Sequence, residues 1–217
     1  MLFGLDPFMA LLRLLALIPA LVGHEFAHGY SAYKMGDPTP KMQGRLTLNP
    51  IPHLDPFGTL MILFGPIGWA KPVQVNPYNF RDPAKGMMIS TACGPLSNIA
   101  QGILVGLVLR VALTVMPARG NILIGYLAFL VLINFVLAFF NLIPLGPLDG
   151  HHILEYFLPY NMKQTYRQFN QFGMFILLGL IVLAPGVFQF IMVPARLLAR
   201  LAVGHDIYTV LGMALGG

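Results

Sequence analysis

An all-α, multi-pass membrane protein with about four to five transmembrane helices and one short membrane-associated β-hairpin is the fold class this sequence predicts. Three observations carry it. Of the 217 residues, 57% are hydrophobic and only 10% are charged. A soluble domain carries about 25% charged residues, so this chain has too few to coat a water-facing surface. Four stretches approach or exceed the roughly 20 apolar residues that a spanning helix needs. Glycine (23) and proline (18) are abundant, as in membrane helices that are broken or closely packed.

The predicted elements follow in order. Phe8–Tyr30 is the first span, and Arg13 is its basic residue. No Lys or Arg precedes Arg13, Asp6 is acidic, and no small-residue cleavage site follows the apolar run, so the segment is expected to stay in the protein rather than act as a leader. Pro56–Ala70 is uncharged but only 15 residues long with Gly65-Pro66 inside it, too short and too broken to span. A re-entrant or interfacial hairpin across Thr59–Val75 is expected there, with Trp69 as an interfacial anchor. Gly86–Leu109 and Asn121–Ile143 form the second and third spans, neither with a charged residue. Gln168–Ala195 forms the fourth, bent or broken at Pro185-Gly186. The tail beyond Ala195 holds Arg196, Arg200 and Asp206 and reads equally as an interfacial helix or a frayed end. No internal repeat is visible. The whole of 1–217 reads as one domain, with a core at 8–160 and C-terminal helices at 166–217.

Charge placement orients the chain. Lys34, Lys41, Arg45, Lys71, Arg81 and Lys85 fall in 31–85, and Lys163 and Arg167 in 144–167. The opposite side shows Arg119, joined by Arg196 and Arg200 if the fourth segment crosses. The positive-inside rule then puts 31–85 and 144–167 in the cytoplasm and the N-terminus outside. The dispersed net charge of +5 is therefore topological, and no nucleic-acid partner is expected. The single cysteine, Cys93, excludes an internal disulfide framework.

Within the first span, residues 23–29 read G-H-E-F-A-H-G. On a helix, positions i and i+4 share a face, so His24 and His28 can aim their imidazoles at one ion. Glu25 lies about 100° round the helix, placed to act on water rather than to ligate the metal. H-E-x-x-H is the zinc metalloprotease signature, with the glutamate as general base. With six His and two Glu in the chain, such a match arises by chance on the order of once in several hundred chains of this composition. Ionisable groups within a membrane segment are costly and functional by default.

A hydrolytic zinc site needs a third protein ligand and an open position. The candidates are Asp149, His151, His152, His53, Asp55 and Glu155. Asp149 is the best placed of these, in N-L-I-P-L-G-P-L-D-G (141–150), where prolines and glycines interrupt the third span near the depth of the motif. Asp-Gly is also a common turn pair, and spacing leaves the other candidates open.

H-E-F-A-H in one membrane helix, with N-x-x-P-x-x-P-x-D-G in a later one, resembles the site-2 protease family of intramembrane zinc metalloproteases. T-A-C-G-P-L-S-N (91–98) is similar to the family's G-P-x-x-N stretch. The resemblance spans roughly residues 8–160 and implies one Zn²⁺ held by His24, His28 and Asp149, with Glu25 as catalytic base. It further implies that Asn98 and Asn141 contact substrate or stabilise the oxyanion, and that the β element offers a strand edge to an extended peptide. No PDZ-like or CBS-like insertion is visible, so the chain resembles a compact member of that family.

The expected activity is zinc-dependent endopeptidase cleavage in or near transmembrane segments of membrane proteins. The expected partners are those substrates and the lipid bilayer, and the expected location is a prokaryotic inner membrane with the site facing the cytoplasm. A metal or proton transporter would spread ionisable groups over several spans, and an inactive relative would have lost Glu25 or a ligand.

Overall fold

The computed structural model describes residues 7–58, 70–184, 186, 189–190 and 192–216. Helix α1 (Pro7–Lys34) opens with Pro7, whose fixed φ suits a first helical turn, and runs 28 residues. At 1.5 Å per residue this is about 42 Å, enough to cross a bilayer and emerge from it. Helix α3 (Pro83–Val115) starts where the Asp82 side chain accepts from Lys85 N–H. Helix α4 (Ile122–Asn141) starts where Asn121 accepts from the Leu123 and Ile124 amides. Both caps satisfy amides that a helix start would otherwise leave unpaired. A short helix α2 (Thr39–Met42) lies in the connection between α1 and α3.

After α4 come the shorter helices α5 (Asp149–Phe157), α6 (Tyr160–Asn170), α7 (Gly173–Leu183), α8 (Val193–Val203) and α9 (Ile207–Leu215). Helices α3 and α4 form the main pair, α1 packs on both, and α8 and α9 close the other side. Lipid tails are as apolar as leucine, so helix association here rests on close packing rather than on escape from water. Small side chains supply that contact: Ala128, Ala195, Ala199 and Ala202 sit in the main cluster with Leu109, Ile124 and Phe135. Leu104, Val108, Val111 and Val115 point outward from α3, as a lipid-facing surface requires.

Two expectations about the fold need correction. Among the described residues three helices are long and apolar enough to span, or four if the bent pair α6–α7 counts as one crossing. The predicted fourth span, 168–195, takes in only the last three residues of the polar α6 and all of the apolar α7, and these two helices meet at 61°; Pro185, where the bend was expected, lies outside the described residues. The tail that read as interfacial or frayed is the hairpin α8–α9, docked on α3 and α4.

The predicted β-hairpin does not form among the described residues. Residues 59–69, including Trp69, lie outside the described residues, and the described remainder contains no strand. Ala70 makes a lone bridge to Leu54, Lys71 N–H donates to His53 O at 2.9 Å, and 71–76 has no regular structure. Proline at 72 removes a ladder donor. The neighbouring backbone groups pair elsewhere, Lys71 O with Arg45 and Val73 N–H with Glu25. The class is therefore all-α over the described residues.

The connection from α1 to α3 is organised by buried Asp37, which accepts from Thr39 N–H and Oγ1, Asn76 N–H and Asn79 Nδ2. Burial opposes its ionisation, but these bonds outweigh it and hold the carboxyl below its ordinary value. A lowered folded pKa contributes stability above the unfolded value of about 3.9, lost as pH falls through the folded one. Asp37→Ala is expected to cost on the order of 3 kcal/mol at neutral pH, with a smaller difference from wild type in strong acid, read by denaturation in detergent.

Candidate metal centre

The three residues expected to bind metal converge. His24 Nε2 lies 2.9 Å from His28 Nε2, and Asp149 Oδ2 lies 3.1 Å and 3.3 Å from these two nitrogens. Two ligands of a tetrahedral ion at its usual bond lengths stand about 3.3 Å apart, close to these separations.

The hydrogen bonds behind the rings fix what the facing atoms carry. Asn98 Nδ2 donates to Ala20 O at 3.0 Å and to Asn134 Oδ1 at 2.9 Å. Its oxygen therefore faces His24 Nδ1 at 2.6 Å, and that nitrogen must donate. His28 Nδ1 lies 2.8 Å from Ser90 O, a carbonyl that can only accept. With a proton on each Nδ1, both Nε2 atoms of the neutral rings present lone pairs. Asp149 Oδ2 is buried without a hydrogen-bond partner. Three lone pairs thus meet with no proton between them, and the donor set fits zinc.

Local sequence explains how each group arrives. α1 carries both histidines one turn apart. α3 lies against them at Gly94, where a Cβ would fall 2.3 Å from His28 Nε2 and 2.8 Å from His24 Cε1. Asp149 opens α5, and a Cβ at Gly150 would fall 2.3 Å from Leu142 O and 2.5 Å from Ile143 O. Only glycine lets that first turn close on the end of α4, which gives the D-G pair a steric reason.

Glu25 is 8% exposed, and its Oε2 accepts from Val73 N–H at 2.8 Å with Arg45 Nη2 at 4.0 Å. Arg45, itself buried, donates to Pro52 O and Lys71 O, so it ties the 71–75 segment beside the glutamate. Asn141 is half-buried at the end of α4, where its amide nitrogen donates to Leu137 O at 2.9 Å. Asn98 is fully buried, and its amide is committed to His24, Ala20 and Asn134.

Of the remaining candidates, His53 is buried with Nε2 on Thr47 O, and Asp55 accepts from Gly58 N–H; neither joins the cluster. His151, His152 and Glu155 gather within the next two turns of α5. Burial pushes both of these imidazoles below the ordinary histidine value. Sequence reasoning missed Asn134, Gly94, Arg45 and Val73. Asn134 was findable as a polar side chain in the middle of an uncharged span, whereas the other three act through contacts that only the fold creates.

Because Asn98 sets the proton and the orientation of His24, Asn98→Ala is expected to weaken zinc affinity by about 10–100-fold, measured by competition with a chelator.

The sequence profile of Peptidase family M50 matches residues 105–184. The chain is 40% identical over 173 residues to "Putative zinc metalloprotease YwhC" of Bacillus subtilis (strain 168), covering 77% of this chain and 78% of that protein. It is 32% identical over 166 residues to "Putative zinc metalloprotease Rip2" of Mycobacterium tuberculosis (strain ATCC 25618 / H37Rv), covering 74% and 61%. The Rip2 of Mycolicibacterium smegmatis (strain ATCC 700084 / mc(2)155) is 27% identical over 164 residues, covering 73% and 62%. No solved structure matches the chain. With H-E-x-x-H and the D-G turn meeting in one buried cluster, and a 40% identical relative matched over more than three quarters of its length, the chain belongs to Peptidase family M50, the site-2 proteases.

Proposed function

We propose that His24, His28 and Asp149 hold the zinc ion, that Glu25 is the general base, and that the substrates are membrane proteins cleaved in or near their spanning segments. As a member of family M50 the chain is a membrane-embedded zinc metalloprotease. The residue assignment is carried by the meeting of three proton-free lone pairs at His24 Nε2, His28 Nε2 and Asp149 Oδ2. A transporter is disfavoured because 86–109 and 121–148 contain no Asp, Glu, His, Lys or Arg.

Zinc, when bound, supplies a Lewis acid that acidifies water and polarises the scissile carbonyl. Glu25 takes the proton from the attacking water and returns it to the leaving amine. Val73 N–H and Arg45 keep its carboxylate in place while it does so. Asn98 holds the tautomer and direction of His24. Asn141, beside the D-G turn, is assigned to the substrate, where its amide would support the developing oxyanion. Residues 1–217 act as one domain in a prokaryotic inner membrane. The Lys/Arg excess in 31–85 and 144–167 supports a site that opens to the cytoplasm.

Zinc analysis of Asp149→Asn tests the ligand set. After dialysis the wild type should keep about one equivalent per chain and the variant a small fraction of it. Full retention with normal hydrolysis would reassign the third ligand.

A further inference from the structure

Beyond the first ligand set, α5 carries a second group of side chains of metal-ligating type. His151, His152 and Glu155 each place one ligand atom within 4.8 Å of the others. His151 and Glu155 are one turn apart on the same face, with Nε2 and Oε2 separated by 3.6 Å. That separation is close to the roughly 3.3 Å expected between two ligands of one tetrahedral ion. The His152 ring lies beside that of His151, centroid to centroid 4.2 Å, so a side-chain rotation brings its nitrogen into the same set.

The carboxylate of Glu155 is used unevenly. Arg167 Nε at 2.8 Å and Nη2 at 2.6 Å both hold Oε1, whereas Oε2 is the oxygen turned toward His151. A plain bidentate ion pair would engage both oxygens. Here one oxygen is anchored and the other is free for a ligand role, the arrangement that outer hydrogen bonds impose on metal-binding carboxylates. The group borders a cavity of about 400 Å³ lined by Met87, His152, Glu155, Tyr156, Lys163 and Arg167, which leaves room for an ion and its waters.

We propose that His151, His152 and Glu155 bind a second divalent transition-metal ion of the zinc class, separate from the ion held by His24, His28 and Asp149. Two imidazoles and one carboxylate oxygen make a nitrogen-rich set that selects zinc, cobalt or nickel over magnesium or calcium. Lys163 and Arg167 beside the cavity make this the weaker site, so its metal exchanges first on dialysis.

Equilibrium dialysis of the full-length, metal-stripped protein in detergent against Co²⁺, with the d–d absorption recorded, tests this. Wild type should take up two equivalents and His152→Ala and Glu155→Gln one each, whereas Asp149→Asn should lose the tighter one and keep the weaker. Uptake of a single, Asp149-dependent equivalent by wild type would overturn the second site without reference to any variant. Two equivalents retained in both His152→Ala and Glu155→Gln would also overturn it, by placing the second ion elsewhere. The Asp149→Asn arm reports on the first site separately, so failure of one assignment is not mistaken for failure of the other.

Discussion

Glu25→Gln is expected to lower peptide hydrolysis by about 10²–10⁴-fold while zinc content stays at the wild-type level. Glutamine keeps the size of the side chain, and its carbonyl oxygen can still accept from Val73 N–H, which now lies 2.8 Å from Glu25 Oε2. What it loses is the ability to take a proton from water. Glu25 is absent from the three atoms that converge between α1 and α5, so the ion should not depend on it. Cleavage of a membrane-spanning peptide in detergent, with metal measured on the same samples, decides the point. Near-normal turnover by the zinc-loaded variant would remove Glu25 from the base role.

Gly94→Ala is expected to lower zinc retention sharply and hydrolysis by at least about 10²-fold, although the substitution adds one methyl group and removes no ligand. The new Cβ would stand 2.3 Å from His28 Cε1 and Nε2 and 2.8 Å from His24 Cε1. No real contact is that short, so either the imidazoles or α3 must move. α3 is not free to retreat, because Ser90 O and Asn98 Oδ1 on that helix hold the Nδ1 atoms of His28 and His24. The ligands are therefore displaced by the order of 1 Å, a misplacement that costs about a hundredfold in a positioned reaction. Gly179→Ala, with nothing within 4 Å of the added Cβ, is the matched control and should behave as wild type. Full zinc retention by Gly94→Ala would mean that the two rings lie elsewhere than against α3.

Much of the centre was legible because it is local. The i, i+4 spacing of His24 and His28 needs only a helix to put both on one face, and the apolar run around them dictates that helix. The D-G pair was likewise visible as a break in an apolar segment, though the close approach of Gly150 to Leu142 O, which demands glycine, was not. The three long helices follow from length and hydropathy. The fourth segment was placed by its apolar stretch alone, which left the polar residues 160–167 outside it and so missed the 61° bend between α6 and α7. Over 70–75, the described part of the predicted hairpin, β-compatible residues do not make a strand because proline and side-chain contacts take the ladder groups.

The sequence by itself determined the class of the protein, the paired histidines, the neighbouring glutamate, and a short set of acids and histidines from which a third ligand could be drawn. The tertiary structure decided which member of that set meets the pair: Asp149 lies 121 or more residues away, and the packing of α5 on α3, with Gly150 against Leu142 O at the end of α4, brings its Oδ2 within 3.1 Å of His24. It also decided that the amide of Asn98 is committed to His24, 74 positions away, and that Val73 and Arg45 hold Glu25. The physical reason is the range of the interactions. Helical periodicity acts over four residues and is written in the sequence, whereas hydrogen bonds and steric contacts between helices depend on how those helices cross, which no local pattern records.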